Sequence, residues 1–457
     1  MNRFATAAAA LLLAAAPVTA TAHVSGTDIL MWLDGIDIDG TLPESFGRGA
    51  AEGVRPGARQ GEKKVRTGDI TEAPVQNYLG DQYYYGEGVG KDLKKAEEWY
   101  RKAAEQGHAG AQFHLGFLYQ HDRNDSAEAA KWYRKAADQG YARAEVSLAV
   151  MHAEGDGVPK DYGRAIALLR SAAAKGDEYG ESLLGRMYYD GKGVPRDCAE
   201  AAKWYRKAAE QGHAAALGQL GYMYSEGECV RQDYGEALRL FRLSAEKGNI
   251  TAENNLGYMY MKGRGVRQDY GEALRLFRSA ADKGSADAWA NLGSMYENGR
   301  GVAQDFAEAL RWYRKAAAKG VHEAESDLGT MYLTGRGVSR DCAEAEKWLR
   351  KASLGGLAEA ESDLGMVYLF GSCGKTDYPE ALRLLQSAAA KGNPNAENSL
   401  GVMYLAGLGT KKDYAAAQDL FRKAAEQGVA NAFTNLGTIY EAGLGVESAP
   451  AAALRLY

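Results

Sequence analysis

Leu292-Gly293-Ser294-Met295-Tyr296-Glu297-Asn298-Gly299-Arg300-Gly301-Val302, then Asp305, then Ala309-Leu310-Arg311-Trp312-Tyr313-Arg314-Lys315-Ala316-Ala317, is one pass through a pattern that fills most of the chain. Leu292 and Tyr296 are four residues apart, so a helix puts them on one face. Gly293 between them removes a side chain where a partner helix has to come close, and it costs helix propensity that packing must offset. Gly299 and Gly301 can take positive φ and end this first helix, helix A. Asp305 is placed to cap a second helix, helix B, or to sit in its first turn. Apolar residues of helix B recur at three- and four-residue spacing, so one stripe of it is buried. Gly320 closes it.

The same marks recur on both sides. Leu-Gly pairs stand at Leu79, Leu115, Leu184, Leu220, Leu256, Leu292, Leu328, Leu364, Leu400 and Leu436, with Leu148-Ala149 in the one gap. Each step is 36 residues except Leu115 to Leu148, which is 33 and has His121-Asp122-Arg123-Asn124-Asp125 in place of the Gly-x-Gly loop. A fixed period of this size is the mark of a solenoid. One helix pair cannot bury both of its faces, so neighbours must stack. The expected fold is all-α: a right-handed α/α superhelical solenoid of stacked antiparallel helix pairs. The Tyr and Trp ladders are therefore expected in the core.

Composition agrees. Of 457 residues, 46% are hydrophobic and 25% charged, as in a folded protein. The net charge of −5 comes from interleaved signs, which argues against a nucleic-acid partner, since such proteins carry a clustered basic face.

Residues 1–22 read as a cleavable signal peptide, with Arg3, an apolar run from Phe4 to Ala16, and a cut after Ala22. That run is too short to cross a bilayer comfortably, and no later segment is apolar enough, so no stable membrane insertion is expected. The expected place is the periplasm or the medium. Residues 23–72 form an N-terminal segment or linker, disordered in part, in which Asp28-Ile29-Leu30-Met31-Trp32-Leu33 could dock as a short helix. Residues 73–457 form the repeat array. Its last unit stops within helix B at Tyr457, so either that unit frays or the chain is cut from a longer one.

Cys198, Cys229, Cys342 and Cys373 are the four cysteines. Both pairs span 31 residues; each first Cys follows the Asp that opens a helix B, and each second Cys replaces a loop Gly of the next unit. Bridges Cys198–Cys229 and Cys342–Cys373, clamping adjacent repeats, are expected in an exported protein. Each such loop could add roughly 3 kcal/mol.

Chemistry is sparse. His114, His121 and His152 allow a metal site on paper, but two exposed histidines and one core substitute for Tyr is the simpler reading. Asp37-Ile38-Asp39-Gly40 lacks calcium-loop ligands at Gly35 and Phe46. Gly86 to Lys91 lacks the leading Gly and the Ser or Thr of a phosphate loop. Glu145, Glu181, Glu253, Glu325, Glu361 and Glu397, three residues before marker leucines, are expected to form a solvated or packing ladder. Neither a catalytic group nor a cofactor is assigned.

The pattern Leu-Gly-x-x-Tyr-x-x-Gly-x-Gly-Val, Asp, Ala-x-x-Trp-Tyr-x-x-Ala-Ala-x-x-Gly resembles the Sel1-like repeat, a longer cousin of the tetratricopeptide repeat. The resemblance covers residues 73–457 in eleven units, the last incomplete. It implies a protein–protein interaction scaffold, adaptor or regulator, here outside the cytoplasm and as a monomer. By analogy with tetratricopeptide repeats, helices A line a concave groove for a protein or an extended peptide. The groove residues are then Asn255, Asn291, Asp327, Asp363, Ser399 and Asn435, just before marker leucines, with Tyr222 and Tyr258 two residues after. Some cysteine-rich members of this kind carry a β-lactamase or penicillin-binding label, which is the enzymatic alternative. The chain lacks the set of Ser-x-x-Lys, Ser-Asp-Asn and Lys-Thr-Gly motifs. A secreted host-interaction factor is the third reading.

Overall fold

The computed structural model describes residues 71–454. The signal-peptide reading and the Asp28–Leu33 segment lie outside the described residues. Among the described residues there are 21 helices of 13 residues, one four-residue helix and no strand. They fall into two compact units, one ending at Gln268 and one beginning at Asp269.

In the first unit the helices are α1 (Ala73–Tyr85), α2 (Leu93–Glu105), α3 (Ala109–His121), α4 (Ser126–Asp138), α5 (Ala142–Glu154), α6 (Tyr162–Ala174), α7 (Glu178–Asp190), α8 (Cys198–Glu210), α9 (Ala214–Glu226), α10 (Tyr234–Glu246) and α11 (Ile250–Lys262). In the second they are α12 (Tyr270–Asp282), α13 (Ala286–Asn298), α14 (Phe306–Ala318), α15 (His322–Thr334), α16 (Cys342–Leu354), α17 (Ala358–Phe370), α18 (Tyr378–Ala390), α19 (Pro394–Ala406), α20 (Tyr414–Glu426), α21 (Ala430–Ala442) and α22 (Pro450–Ala453). Odd-numbered helices are helices A and even-numbered ones helices B. Within each unit every helix packs on its sequence neighbours, and no helix is long and apolar enough to cross a membrane.

The tightest contact lies inside each pair. A Cβ added to Gly293 would sit 2.6 Å from two ring carbons of Tyr313, which is fully buried. Gly80 meets Tyr100, Gly221 meets Phe241 and Gly401 meets Phe421 in the same way, at 2.4, 2.9 and 2.7 Å. The marker Gly is therefore the seat of the second bulky residue of helix B.

A polar clasp closes the other end of the pair. Lys175 Nζ donates to Glu145 Oε1 at 2.6 Å, Gln211 Nε2 to Glu181 Oε2 at 2.7 Å, and Lys391 pairs with Glu361 at 2.9 Å. Each joins the first turn of a helix A to the end of its own helix B, so the pair is antiparallel. The glutamates are buried, which decides between the two readings of their ladder in favour of packing. A carboxylate at one helix N-terminus against a cation at the other helix C-terminus also suits both dipoles.

Loops are fixed by their caps. Asp161, Asp197, Asp233, Asp269, Asp305, Asp341, Asp377 and Asp413 are all N-caps whose carboxylates accept from first-turn amides. The amide of the same Asp donates back to the marker Tyr carbonyl, as from Asp305 to Tyr296 at 2.9 Å. The 33-residue repeat keeps both 13-residue helices and shortens only the loop, where Asn124 takes φ 52° and Asp125 caps α4.

Successive pairs meet at a second seam. The guanidinium of a helix B reaches the marker Tyr hydroxyl of the next helix A: Arg170 to Tyr188 at 2.8 Å, Arg242 to Tyr260 at 2.6 Å and Arg314 to Tyr332 at 2.7 Å. These tyrosines are only partly buried, unlike Tyr100, Tyr133, Tyr205 and Tyr313. The expectation that the Tyr and Trp ladders are core holds for the helix B Tyr and for Trp132; Trp99, Trp204, Trp312 and Trp348 are only partly buried, and so is the marker Tyr, whose hydroxyl needs the polar rim.

At this seam the second loop Gly lies over the first residue of the preceding helix B: Gly265 over Tyr234, Gly301 over Tyr270, Gly337 over Phe306. These glycines have φ near +70° and no room for a side chain. In two repeats both partners of this contact are cysteine, and disulfides Cys198–Cys229 and Cys342–Cys373 join them, with Cα–Cα distances of 4.7 and 5.4 Å. Cys229 keeps the left-handed backbone at φ 65°, whereas the second bridge shifts that conformation to Gly374.

Gly293→Ala forces a methyl into the Tyr313 ring, an overpacking of about 1–3 kcal/mol against about 1 kcal/mol of helix propensity gained. Its melting midpoint should fall; an unchanged or higher midpoint would refute the close-contact reading. His213 caps α9 by accepting from the Ala216 amide at 3.2 Å, and burial pulls its imidazole down to about 4 against the opposing pull of Glu178. The unfolded chain then binds the extra proton first, at about 6.5. This contribution is complete above that pH and is lost as pH falls from about 6.5 to about 4. His213→Asn keeps an acceptor without the titration, so its urea midpoint should drop less than the parent's between pH 7 and 4.5.

Candidate functional site: the inner face of helices A

Consecutive helices A touch each other directly within each unit, as α1 with α3, α5 with α7 and α15 with α17. Their facing side chains form the surface to which the groove residues were assigned. At two steps the residue two after one marker Leu meets the residue just before the next. Asp81 and His114 are such a pair, with Oδ1 and Nδ1 3.2 Å apart. Thr330 and Asp363 are another, the hydroxyl donating to Oδ2 at 3.4 Å.

His114 is buried, not exposed as expected from the sequence. Its Nδ1 also lies 3.0 Å from Asn77 Oδ1, so with two acceptors around it Nδ1 carries the proton. Tyr100 donates its hydroxyl to Asp81 at 2.9 Å. Burial lowers the His114 pKa and raises that of Asp81, while their mutual attraction opposes both shifts. His152 is buried as a core substitute, with Nδ1 3.2 Å from the Pro159 carbonyl. Among the described residues, no group of three or more His, Cys, Asp or Glu could hold a metal ion.

In the second unit several carboxyls lie on helices A and the loops after them. Tyr313 donates its hydroxyl to Glu297 Oε2 at 2.9 Å, and Asp327 shares that hydroxyl. Burial, reinforced by repulsion from Glu297, holds the Asp327 carboxyl well above the usual range. Burial likewise pushes Asp363 up to about 7, partly offset by the Thr330 hydroxyl. These groups are poised to hydrogen-bond in either protonation state.

The eight assigned groove residues divide by burial. Tyr222 and Asn255 in the first unit, and Asn291 and Asp327 in the second, are partly exposed. Tyr258, Asp363, Ser399 and Asn435 are buried. Asn435 donates to Asn398 at 2.8 Å, so it is spent on the neighbouring helix. Asn77, Asp81, Thr330 and Asn398 were missed; their signal is the spacing of 33 or 37 residues to the residue before the next marker Leu. The loop from Gly86 to Lys91 is an ordinary repeat loop, with Gly86 and Gly88 at positive φ.

Comparison with known proteins supplies the family. The Sel1 repeat model matches residues 73–108, 109–141, 142–177, 179–213, 214–249, 250–285, 286–321, 322–357, 358–393, 394–429 and 432–457. The solved structure of c5321, described as a protective antigen present in uropathogenic Escherichia coli strains and displaying an SLR fold, is 37% identical, with a TM-score of 0.63 over 86% of this chain and 84% of that one. A Sel1 repeat protein from Oxalobacter formigenes is 30% identical, with a TM-score of 0.50 over 53% of this chain and 96% of that one. Among curated proteins, the ERAD-associated E3 ubiquitin-protein ligase component HRD3A of Arabidopsis thaliana is 44% identical over 43 residues. That match spans 9% of this chain and only 6% of the relative. With eleven matched repeats and stacked helix pairs in each unit, the chain belongs to the Sel1 repeat family.

Proposed function

We propose that this protein is a non-enzymatic adaptor that works outside the cytoplasm and holds a protein or an extended peptide against the inner face of its helices A. The observation that carries this reading is the column of Asn291 and Asp327, partly exposed and one repeat apart on neighbouring helices A. Amide and carboxyl groups at a fixed step suit the main chain of an extended segment. The ubiquitin-ligase component status of HRD3A supports the adaptor reading, through a short match. The two disulfides support an oxidising compartment, together with the export signal read at residues 1–22.

A second reading has one observation in its favour: c5321 is described as a protective antigen. It makes this protein a secreted factor in contact with a host. Fractionation of periplasm and medium separates the two.

The adaptor reading is tested by crosslinking and pull-down from the envelope fraction, followed by affinity measurement on the partner found. The double variant Asn291→Ala with Asp327→Ala should weaken that affinity about tenfold or more, since two hydrogen-bonding groups are lost. Unchanged affinity would sink the assignment of this face. Peptide mapping of exported protein without reductant should return both bridges, and four free thiols would remove the support for an oxidising compartment.

A further inference from the structure

The loop of the 33-residue repeat differs from the others in more than length. Asp122-Arg123-Asn124-Asp125-Ser126 runs through it into α4, and the residues around Asn124 are all engaged. Tyr84 donates its hydroxyl to Asp122 Oδ2 at 3.1 Å. Arg123 donates to Glu97 Oε2 at 2.8 Å. Asp125 accepts from the Glu128 amide at 3.0 Å, and its own amide donates to the Tyr119 carbonyl at 2.8 Å. Ser126 donates its hydroxyl to Asp156 Oδ2 at 2.9 Å. Asn124 is exposed, with φ 52°, and its side-chain amide has no hydrogen bond among the described residues. Asn tolerates left-handed backbone, so the turn explains Asn124. It does not explain Ser126. The other 13-residue helices B begin with Leu, Tyr, Phe or Cys. A Ser at this one place completes Asn-x-Ser with Asp, not Pro, between, which is the acceptor pattern for N-linked oligosaccharides.

We propose that Asn124 is an N-glycosylation site, loaded from a polyprenyl-pyrophosphate-linked oligosaccharide by a membrane oligosaccharyltransferase after export; this rests on the extracytoplasmic reading above. Asn124 Nδ2 attacks the anomeric carbon of the first sugar. The bond from that carbon to the pyrophosphate oxygen breaks, and polyprenyl pyrophosphate leaves with the electron pair. One Nδ2 proton passes to a base of the transferase, and a C–N bond holds the oligosaccharide. Ser126 releases Asp156 to offer its hydroxyl to the transferase. Asp122, two places ahead of the Asn, gives a basic side chain of that enzyme a negative charge to pair with. The sequence holds one other Asn-x-Ser/Thr, Asn249-Ile250-Thr251. Asn249 is partly buried, and its Oδ1 accepts from the Ala252 amide at 2.8 Å as the cap of α11. Withdrawing that cap costs about 1 kcal/mol, and Lys247 stands where Asn124 has Asp122. The fold thus presents Asn124 and keeps Asn249 for itself.

The test expresses the full chain in a bacterial host that carries an oligosaccharyltransferase and its lipid-linked oligosaccharide. Chain recovered from periplasm and medium is read by intact mass and by glycopeptide mapping without reductant. One oligosaccharide should be found on Asn124 and none on Asn249. Asn124→Gln and Ser126→Ala should each lose the mass increment, and Ser126→Thr should keep it. Asn124→Gly suits the left-handed turn, so it should lose the increment with the parent's circular dichroism spectrum and melting midpoint intact. A bare Asn124 on exported, bridged chain would overturn this proposal alone. So would an increment that survives Asn124→Gln, or Asn249 modified as fully as Asn124. Chain that stays reduced in the cytoplasm would overturn the extracytoplasmic reading and this proposal with it.

Discussion

Helix A and helix B approach so closely at the marker Gly that an aromatic or Leu side chain of helix B occupies the space a Cβ would fill. That contact sets the rest of each repeat. Except in the repeat that carries Ala149, it is met by a residue without a side chain in a helix interior, which only dense packing can tolerate. It places the bulky residue of helix B, with alanines around it, so that both helices can come within reach of one another. The loop between them then has to turn sharply, which the left-handed glycines permit and the capping Asp fixes by bonding forward to the helix B amides and back to the marker Tyr carbonyl. Lys or Gln at the end of helix B reaches the Glu in the first turn of helix A because the pair is already antiparallel and close.

Most of this was legible because it recurs. The Leu-Gly markers, the Asp caps and the closing glycines are each a local requirement repeated every 36 residues, and repetition separates requirement from accident. The disulfides were legible for the same reason: two equal spacings pointed to one structural contact. What periodicity cannot supply is the neighbour on the other side of a face. It placed the Glu ladder three residues before the marker but could not say that a Lys or Gln of the same repeat covers it. It put His114 on helix A without showing Asn77 and Asp81 closing over it from the repeat before. It assigned eight residues to one groove, whereas direct contact between consecutive helices A buries Tyr258, Asp363, Ser399 and Asn435.

The inner face that results differs between the two units. Near residue 114 a buried histidine, an amide and a carboxyl lie within bonding distance of one another. Between residues 287 and 363 the carboxyls outnumber their cations, and burial raises the affinity of Asp327 and Asp363 for protons. A carboxyl accepts hydrogen bonds when ionised and can also donate one when protonated.

The cysteine pairs stand where other repeats set a glycine against the first residue of the preceding helix B, so each bridge turns a non-covalent touch between neighbouring repeats into a bond at the same spot. The ring they close runs through α9 in one case and α17 in the other. A protease that cuts inside either ring therefore leaves one molecule, not two. Separation of the fragments waits on reduction, and without a reductant the nicked chain keeps both of its ends.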